Sequence, residues 1–202
     1  IAISNDYFTI NKKKQWITNN QSRKIAHLLR HKYDCIISTS KSINSDNSLL
    51  NCRIDGLKNY KPDLFIIDFN LKLRKKLNLN KLLLKRRTYL ITSQKNKKKI
   101  SGYKKLGYKI LLIDSLKDKK DFILLYKKIY KLGYSRVLVE SGLTFINNLL
   151  QKKLIQELYI FKSIKKLEKN GKKNSTLKYL KQSSPKLLTI NLNGDKLFRK
   201  KF

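Results

Sequence analysis

The sequence predicts an α/β protein with a mostly parallel sheet that is flanked by helices and has an antiparallel edge. Short β-branched runs alternate along the chain with amphipathic runs of helical period. Runs such as Phe65-Ile66-Ile67 and Val137-Leu138-Val139 carry no charge, which is typical of central strands buried on both faces. Near the C-terminus two β-type runs flank Asn193-Gly194, a dipeptide that tolerates positive φ at both turn positions and so predicts a hairpin.

The elements follow in a regular order. The predicted strands cover residues 1–4, 35–39, 64–68, 89–92, 109–113, 136–140 and 158–164, and the hairpin strands cover 187–192 and 196–202. The predicted helices cover residues 20–32, 118–132 and 143–153. In the first helix Ile25, Leu28 and Leu29 recur at the spacing of one buried face. The Lys-rich segment 165–181 predicts an exposed loop.

The length and the absence of a Pro/Gly/Ser linker favour one domain over residues 1–202. The chain contains no Met and opens at Ile1 on a predicted strand. We therefore expect an N-terminally trimmed piece of a longer protein. No apolar run is long enough to span a membrane.

The formal net charge of +35 would ordinarily suggest a polyanion partner. Of the basic residues, however, 40 are Lys and only 8 are Arg, and Asn and Ile are also abundant. This joint excess indicates a compositional drift spread over the whole surface, since a selected phosphate-binding patch concentrates Arg. A nucleic-acid-binding domain remains the alternative from another class, supported only by aromatics among basic residues such as Tyr103-Lys104-Lys105.

Cysteine and histidine offer little chemistry. Cys35 lies in an apolar run, so we expect it to be a small buried residue. The spacing between Cys35 and Cys52 matches no metal-binding or redox motif. Nothing points to an oxidising compartment, so we expect a cytoplasmic protein. His27 and His31 have the i, i+4 spacing of zinc ligands but no third ligand nearby, so we expect no metal.

Three features favour a ligand site. Glu140-Ser141-Gly142 falls between a predicted strand and a helix, where open α/β sheets bind ligands, although such junctions are often purely structural. Arg30 and Arg53 suit a two-pronged grip on a phosphate, or else a salt bridge to Asp34 or Asp46. Trp16 is either a core plug or a wall of a ligand site.

The scarcity of acids and histidines disfavours hydrolysis. Hydride transfer fits better, because the cofactor carries the reactive group and the protein mainly positions two partners.

Several motifs occur in an order that resembles a known family. They are Trp16-Ile17-Thr18, Ser22-Arg23, His27-x-x-Arg30, Asp34, Ser42-x-x-x-Asp46, Leu50-x-x-Arg53, Val139-Glu140-x-Gly142 and Leu154-x-x-Glu157-Leu158. Together they resemble the riboflavin biosynthesis reductase domain, the C-terminal domain of RibD-type bifunctional deaminase/reductases, and the resemblance covers nearly the whole chain. It implies a dihydrofolate-reductase-like fold, a homodimer and a multifunctional parent chain.

The resemblance also implies a reaction and its residues. The reaction is NADPH-dependent reduction of 5-amino-6-(5-phosphoribosylamino)uracil to the ribitylamino product, and a same-fold reductase of another pterin or pyrimidine is the alternative. The implied substrate-binding residues are Arg30, Leu50, Arg53, Glu140 and, at a position that is usually Ser, Lys14. The implied cofactor-binding residues are Ala2, Trp16, Ser42, Asp46, Gly142, Leu143, Thr144, Phe145, Ile146, Asn147 and Asn148. No catalytic residue is implied.

The sequence departs from the family pattern elsewhere. Tyr7 stands where a Gly is common and Phe69 where a Ser usually contacts the cofactor, while Ser48 and Leu143 replace prolines. An impaired enzyme is one reading of these changes.

Overall fold

The computed structural model describes residues 1–13, 15–57, 60–174 and 185–202. It divides into two compact units. The central unit is His27–Ser141, and the terminal unit combines Ile1–Ala26 with Gly142–Phe202.

The central unit contains a five-stranded parallel sheet of order β6-β5-β4-β3-β7. Its strands are β3 (Cys35–Thr39), β4 (Asp63–Ile67), β5 (Thr88–Thr92), β6 (Lys109–Leu112) and β7 (Val137–Val139). Each was predicted to within about two residues. However, within the described part of the chain β7 lies at the edge of the sheet beside β3, and its side chains are half-buried, so the prediction of a central strand there is wrong.

Alternate side chains of this sheet enter two apolar layers, as the two-residue period of a strand requires. Ile36, Leu64, Ile66 and Leu90 belong to one buried cluster that also receives Leu50. On the other face Phe65 stacks on Tyr89 with ring centroids 4.6 Å apart, and Tyr134 meets Phe65 edge-on at 5.2 Å. Cys35 is fully buried, as predicted.

Three helices of the central unit connect these strands. They are α2 (Ser40–Asp46), α3 (Lys97–Lys105) and α4 (Lys119–Lys131). Helix α4 was predicted, and it buries Phe122, Leu125 and Ile129. Helices α2 and α3 and the short 3₁₀ turn at Asn78–Leu82 were not predicted.

Helix α1 (Asn20–Lys32) has the predicted bounds and crosses from the terminal into the central unit. At its start the Asn19 side chain accepts a hydrogen bond from the Ser22 amide at 3.0 Å, which satisfies a free N–H of the first turn. The prediction that Leu28 is buried is wrong, because this side chain is exposed.

The terminal unit contains a four-stranded sheet of order β1-β8-β11-β10. Its strands are β1 (Ala2–Ile3), β8 (Glu157–Lys162), β10 (Lys186–Leu192) and β11 (Asp195–Lys201), and helix α5 spans Leu143–Gln151. Strands β10 and β11 form the predicted hairpin, in which Asn193 and Gly194 have φ of 50° and 93°. The hairpin therefore lies in this second sheet and not at the edge of the parallel one.

The terminal unit also contains a two-stranded sheet, which was not predicted. Strand β2 (Phe8–Asn11) pairs antiparallel with β9 (Gly171–Asn174). The expectation of a loop is therefore wrong for β9, where pairing with a distant strand orders a Lys-rich sequence without a periodic signal. Residues 165–170 of that expectation form no strand and include a short 3₁₀ turn at Glu168–Asn170, and residues 175–181 lie outside the described residues.

Among the described residues, no helix combines the length and the apolar character that crossing a bilayer requires.

Candidate active site

Three hydroxyl groups meet at the carboxyl ends of β3 and β7. The Thr39 Oγ1 is 3.1 Å from Ser42 Oγ and 3.0 Å from Ser141 Oγ, and the two serine oxygens are 3.1 Å apart. The Ser42 amide also donates to Thr39 Oγ1 at 3.3 Å, so that Thr39 caps α2. Ser42, a predicted cofactor residue, is thus held by Thr39 and Ser141.

Glu140 follows β7 directly and forms a two-pronged ion pair with Arg30. The Arg30 Nε donates to Glu140 Oε2 at 2.8 Å and an Arg30 terminal nitrogen donates to Oε1 at 2.5 Å. Burial opposes the charge of Glu140, but the Arg30 guanidinium outweighs it and lowers the pKa of this carboxyl. The structure therefore brings together two predicted substrate residues from opposite ends of the central unit's sequence.

Arg30 also contacts residues that follow α2. Its other terminal nitrogen donates to the Asn51 carbonyl at 2.9 Å. The His27 Nδ1 lies 2.9 Å from the same carbonyl and accepts from the Arg53 amide at 3.1 Å in the other tautomer. Burial, aided by the charges of Arg30 and Arg53, lowers the pKa of His27 to about 4, so this imidazole is neutral at physiological pH.

The residues Leu49, Leu50, Asn51, Cys52 and Arg53, called here the 49–53 segment, contain two predicted substrate residues. Leu50 has a left-handed backbone with φ of 49° and a buried side chain. Arg53 is exposed, and one of its terminal nitrogens lies 3.4 Å from His27 Nε2. Leu50 and Arg53 thus occupy the same short segment that Arg30 and His27 hold.

Two further carboxylates lie near the carboxyl ends of these strands. Asp46 is the last residue of α2. Partial desolvation of its carboxyl group and the negative charge of Glu140 raise the pKa of Asp46. Asp68 follows β4 and is buried, where it accepts hydrogen bonds from Ser40 Oγ and from the amides of Lys72 and Leu73. Asp68 therefore shapes the chain after β4, whereas Asp46, a predicted cofactor residue, faces solvent.

The other predicted cofactor residues lie in the terminal unit. Gly142 precedes α5, and no side chain caps this helix start. A groove of about 460 Å³ runs beside the helix. Its lining is formed by Leu143, Thr144, Asn147, Asn148, Gln151, Lys173 and Asn174. Amide, hydroxyl and ammonium groups beside the first turns of a helix suit a phosphorylated, hydroxyl-rich ligand.

Not every residue of the predicted α5 set faces this groove. Ile146 is buried. Gly142 has φ of −68°, a backbone conformation that any residue adopts, so the backbone alone does not require glycine there.

Trp16 is 67% exposed, with the Arg23 guanidinium 4.8 Å from its ring centroid. The core-plug interpretation of Trp16 is therefore wrong. Ala2 lies in β1 and is half-buried. The predicted substrate residue Lys14 lies outside the described residues.

Two departures from the family pattern have visible consequences. Tyr7 has φ of 68°, the left-handed region that a glycine enters without strain. The Lys162 ammonium lies 4.4 Å from the Tyr7 ring centroid, a contact that offsets part of this strain. Phe69 contributes its carbonyl, which accepts from Thr92 Oγ1 at 2.9 Å.

Sequence reasoning missed some residues of this site. Arg30 was weighed against salt bridges to Asp34 or Asp46, but its partner is Glu140, and Asp34 pairs with Arg136. His27 contacts the 49–53 segment, while His31 packs edge-on against Tyr60. The His-x-x-Arg spacing, which puts His27 and Arg30 on one helix face, was the signal available for His27.

Comparison with known proteins agrees with this architecture. The family described as the RibD C-terminal domain matches residues 7–163. A curated relative, the riboflavin biosynthesis protein RibD of Actinobacillus pleuropneumoniae, is 23% identical over 149 residues, which are 74% of this chain and 39% of the relative.

Among solved structures, Acinetobacter baumannii RibD matches with a TM-score of 0.78 and 23% identity over 98% of this chain and 55% of its own. The riboflavin biosynthesis reductase of Saccharomyces cerevisiae matches with a TM-score of 0.71 and 19% identity over 99% of this chain and 86% of its own. The chain thus spans about half of the bacterial RibD structure and less of the curated relative.

The family match covers most of the chain and includes the Arg30–Glu140 pair and the 49–53 segment. The predicted α/β fold is confirmed by the parallel sheet, by the hairpin and by these structural matches. The chain belongs to the RibD C-terminal domain family.

Proposed function

We propose that this protein reduces the ribosyl chain of 5-amino-6-(5-phosphoribosylamino)uracil to a ribityl chain, with NADPH as the reductant. Family membership over residues 7–163 carries the proposal. The polar groups around Arg30, Glu140 and the 49–53 segment support it, because they combine a carboxylate with cations suited to a phosphorylated substrate.

The contacts divide the roles of the two arginines. Arg30 engages Glu140 and the Asn51 carbonyl, so in our proposal it mainly holds the Glu140 carboxylate toward the substrate. Arg53 is exposed and takes the substrate phosphate, and Leu50 of the same segment also contacts the substrate. Lys14 remains a proposed substrate residue on the resemblance alone.

NADPH, when bound, supplies the hydride. For its binding we propose Ala2, Trp16, Ser42, Asp46 and the start of α5. The α5 contacts comprise Gly142, Leu143, Thr144, Phe145, Ile146, Asn147 and Asn148. Support comes from the polar groove beside α5.

The proposal is tested by following the loss of NADPH absorbance with the purified protein and the phosphoribosylamino-uracil. We expect oxidation that requires this substrate and yields the ribitylamino product by mass spectrometry. Oxidation with dihydrofolate or another pterin instead would favour the alternative reductase. Absence of turnover, together with a salt-resistant and sequence-dependent affinity for a DNA duplex, would favour the nucleic-acid-binding alternative.

The cofactor site is tested by Gly142→Val. We expect the NADPH dissociation constant to rise about tenfold or more, because a side chain there occupies the ligand's approach to the α5 N–H groups. Gly102→Ala is the matched control, since the added methyl meets only the Lys75 ammonium at 3.7 Å. Normal NADPH binding by a natively folded Gly142→Val protein would refute the site.

On the resemblance alone we also propose that the protein forms a homodimer and is cytoplasmic. We further propose that the sequence is one domain of a longer bifunctional chain. Sedimentation velocity over a range of concentrations tests the dimer.

A further inference from the structure

Arg86, which no motif of the sequence singles out, is a buried cation held by carbonyl groups. It is 7% exposed and immediately precedes β5. One terminal nitrogen donates to the carbonyls of Leu50 at 2.7 Å and Pro62 at 3.2 Å, and the other donates to that of Leu49 at 2.8 Å. Within the described ranges Arg86 forms no ion pair, and its buried Nε–H has no acceptor.

Such a group is costly to keep. Burial lowers the pKa of Arg86 to about 10, although the charge of Asp63 acts in the opposite direction. An apolar side chain of similar volume would fill the same space without desolvating a charge. The cost of the arginine therefore calls for a role that packing alone does not supply.

That role is visible in what the guanidinium holds. Two of its three acceptors, Leu49 and Leu50, open the 49–53 segment, and the third, Pro62, directly precedes β4. The planar fork thus ties the segment to the start of the parallel sheet. It also fixes the carbonyl of Leu50, whose backbone is left-handed and uncommon for a leucine.

The far end of the same segment is held by the residues already described. Arg30 donates to the Asn51 carbonyl. The His27 Nδ1 donates to the same carbonyl in one tautomer and accepts from the Arg53 amide in the other. Arg86 therefore completes a set of three side chains that bond to backbone groups of Leu49, Leu50, Asn51 and Arg53.

We propose that Arg86 is a positioning residue that fixes the backbone of the 49–53 segment and thereby presents Arg53 to an anionic group of the substrate. The proposal rests on the proposed function for the identity of that substrate, whereas the fixing of the segment does not depend on it. Lysine cannot replace this arginine fully, because one ammonium cannot reproduce the planar fork that spans the two neighbouring carbonyls.

The test compares Arg86→Lys with Arg87→Lys. Arg87 is the neighbouring arginine, it is exposed, and it pairs with Asp63 through Nε at 2.8 Å, so its replacement controls for the same chemical change one residue away. Circular dichroism establishes that both variants are folded.

The first measurement is the rate of thiol alkylation, because Cys52 lies inside the segment and Cys35 lies in β3, both buried and free. In Arg86→Lys we expect alkylation of Cys52 to accelerate about tenfold relative to Cys35, since local opening exposes the segment without unfolding the sheet. In Arg87→Lys the ratio of the two rates should stay at the wild-type value.

The second measurement is kinetic. We expect Arg86→Lys to raise KM for the phosphorylated pyrimidine roughly tenfold while KM for NADPH and kcat change little. If wild-type protein shows no turnover, the proposed function fails, and the dissociation constant of the phosphorylated pyrimidine replaces KM in the comparison.

Three results would overturn the proposal. One is a folded Arg86→Lys protein with unchanged Cys52 alkylation and unchanged substrate KM. Another is a loss of general stability in Arg86→Lys. It would show as an equal loss of substrate and NADPH affinity or as an equal acceleration of alkylation at Cys35 and Cys52. If Arg86→Lys does not fold, Arg86→Gln takes its place, and failure of both to fold would likewise assign the residue to the fold as a whole.

Discussion

The two ends of the parallel sheet each carry ion pairs between arginine and a carboxylate, but the pairs are oriented in opposite ways. At the carboxyl end the Arg30 side chain is 11% exposed and its partner Glu140 is 36% exposed. At the amino end Arg87 and Arg136 are 54% and 62% exposed, while their partners Asp63 and Asp34 are 15% and 23% exposed. The more exposed partner is therefore the carboxylate at the carboxyl end of the sheet and the arginine at the amino end.

We interpret this inversion as a separation of substrate binding, proposed at the carboxyl end, from scaffolding at the amino end. Asp34 accepts hydrogen bonds from the backbone and side chains of Ser135 and Arg136, and Asp63 accepts from the Arg87 backbone and the Tyr134 hydroxyl. These carboxylates close the start of the sheet, with arginines lying over them. Glu140 instead is the more exposed group of its pair with Arg30, and we propose that its carboxylate faces the substrate.

The largest effect is expected when an acid is neutralised at each end. Glu140→Gln should reduce kcat/KM for the phosphorylated pyrimidine by about 2–3 kcal/mol, roughly 100-fold, because a charge-assisted interaction is lost. Asp34→Asn should leave kcat/KM unchanged and lower the free energy of unfolding. Equal kinetic effects of the two substitutions would show that the orientation of the pairs does not distinguish their roles.

A smaller effect is expected when arginine is replaced by lysine at each end. Arg30→Lys and Arg53→Lys should each weaken kcat/KM by about 1–2 kcal/mol, because the two-pronged donor is lost while the charge remains. NADPH affinity should hardly change. Arg87→Lys and Arg136→Lys should be kinetically silent, so a matching loss in either of them would break the comparison.

The pH dependence of stability gives a third test. Burial opposes ionisation of Asp34, but hydrogen bonds from Arg136 and Ser135 lower its pKa from 3.8 to about 2. A depressed carboxyl pKa stabilises the fold above the unfolded-state pKa, and this stabilisation disappears as the pH falls from about 4 to 2. The free energy of unfolding of the wild type should therefore fall as the pH falls from about 4 to 2. We expect this fall to be about 1–2 kcal/mol smaller in Asp34→Asn, as measured by denaturant unfolding at several pH values. An identical pH profile in wild type and variant would contradict the assignment.

The smallest effect concerns Tyr134, whose hydroxyl donates to Asp63 Oδ2 at 2.6 Å. Tyr134→Phe should cost about 1 kcal/mol of unfolding free energy, the usual contribution of one hydrogen bond, without altering kcat or KM. Thermal unfolding and steady-state kinetics check the two parts. A kinetic change here would extend the functional region to the amino end of the sheet.

Local patterns sufficed for much of this fold. The apolar β-branched runs identified the strands of the parallel sheet, and the period of residues 20–32 gave the bounds of α1. Helix α2 was not predicted, because Ser40–Asp46 is short and mostly polar and has no amphipathic period. It is stabilised by the Thr39 cap. Strands β2 and β9 escaped because their pairing joins distant parts of the chain, which no local period records.

The site divides in the same way. Arg30, Arg53 and Glu140 were predicted from motif order, and the scarcity of arginine in a Lys-rich chain supported the two arginines. The pairing of Arg30 with Glu140 was not predictable from spacing, because 110 residues separate them and the adjacency of β3 and β7 brings them together. Arg86 gave no signal, since its partners are backbone carbonyls that any sequence contains.

The hydroxyls of Thr39, Ser42 and Ser141 form a closed triangle with edges of 3.0–3.1 Å. Three hydroxyls own three protons, so a head-to-tail arrangement in which Thr39 donates to Ser42 requires Ser42 to donate to Ser141 and Ser141 to donate to Thr39. Hydrogen bonds arranged in such a ring polarise one another, and their dipoles largely cancel. In such an arrangement the triangle acts as one coupled unit, so that a ligand bonding to any one hydroxyl reorients the protons of the other two.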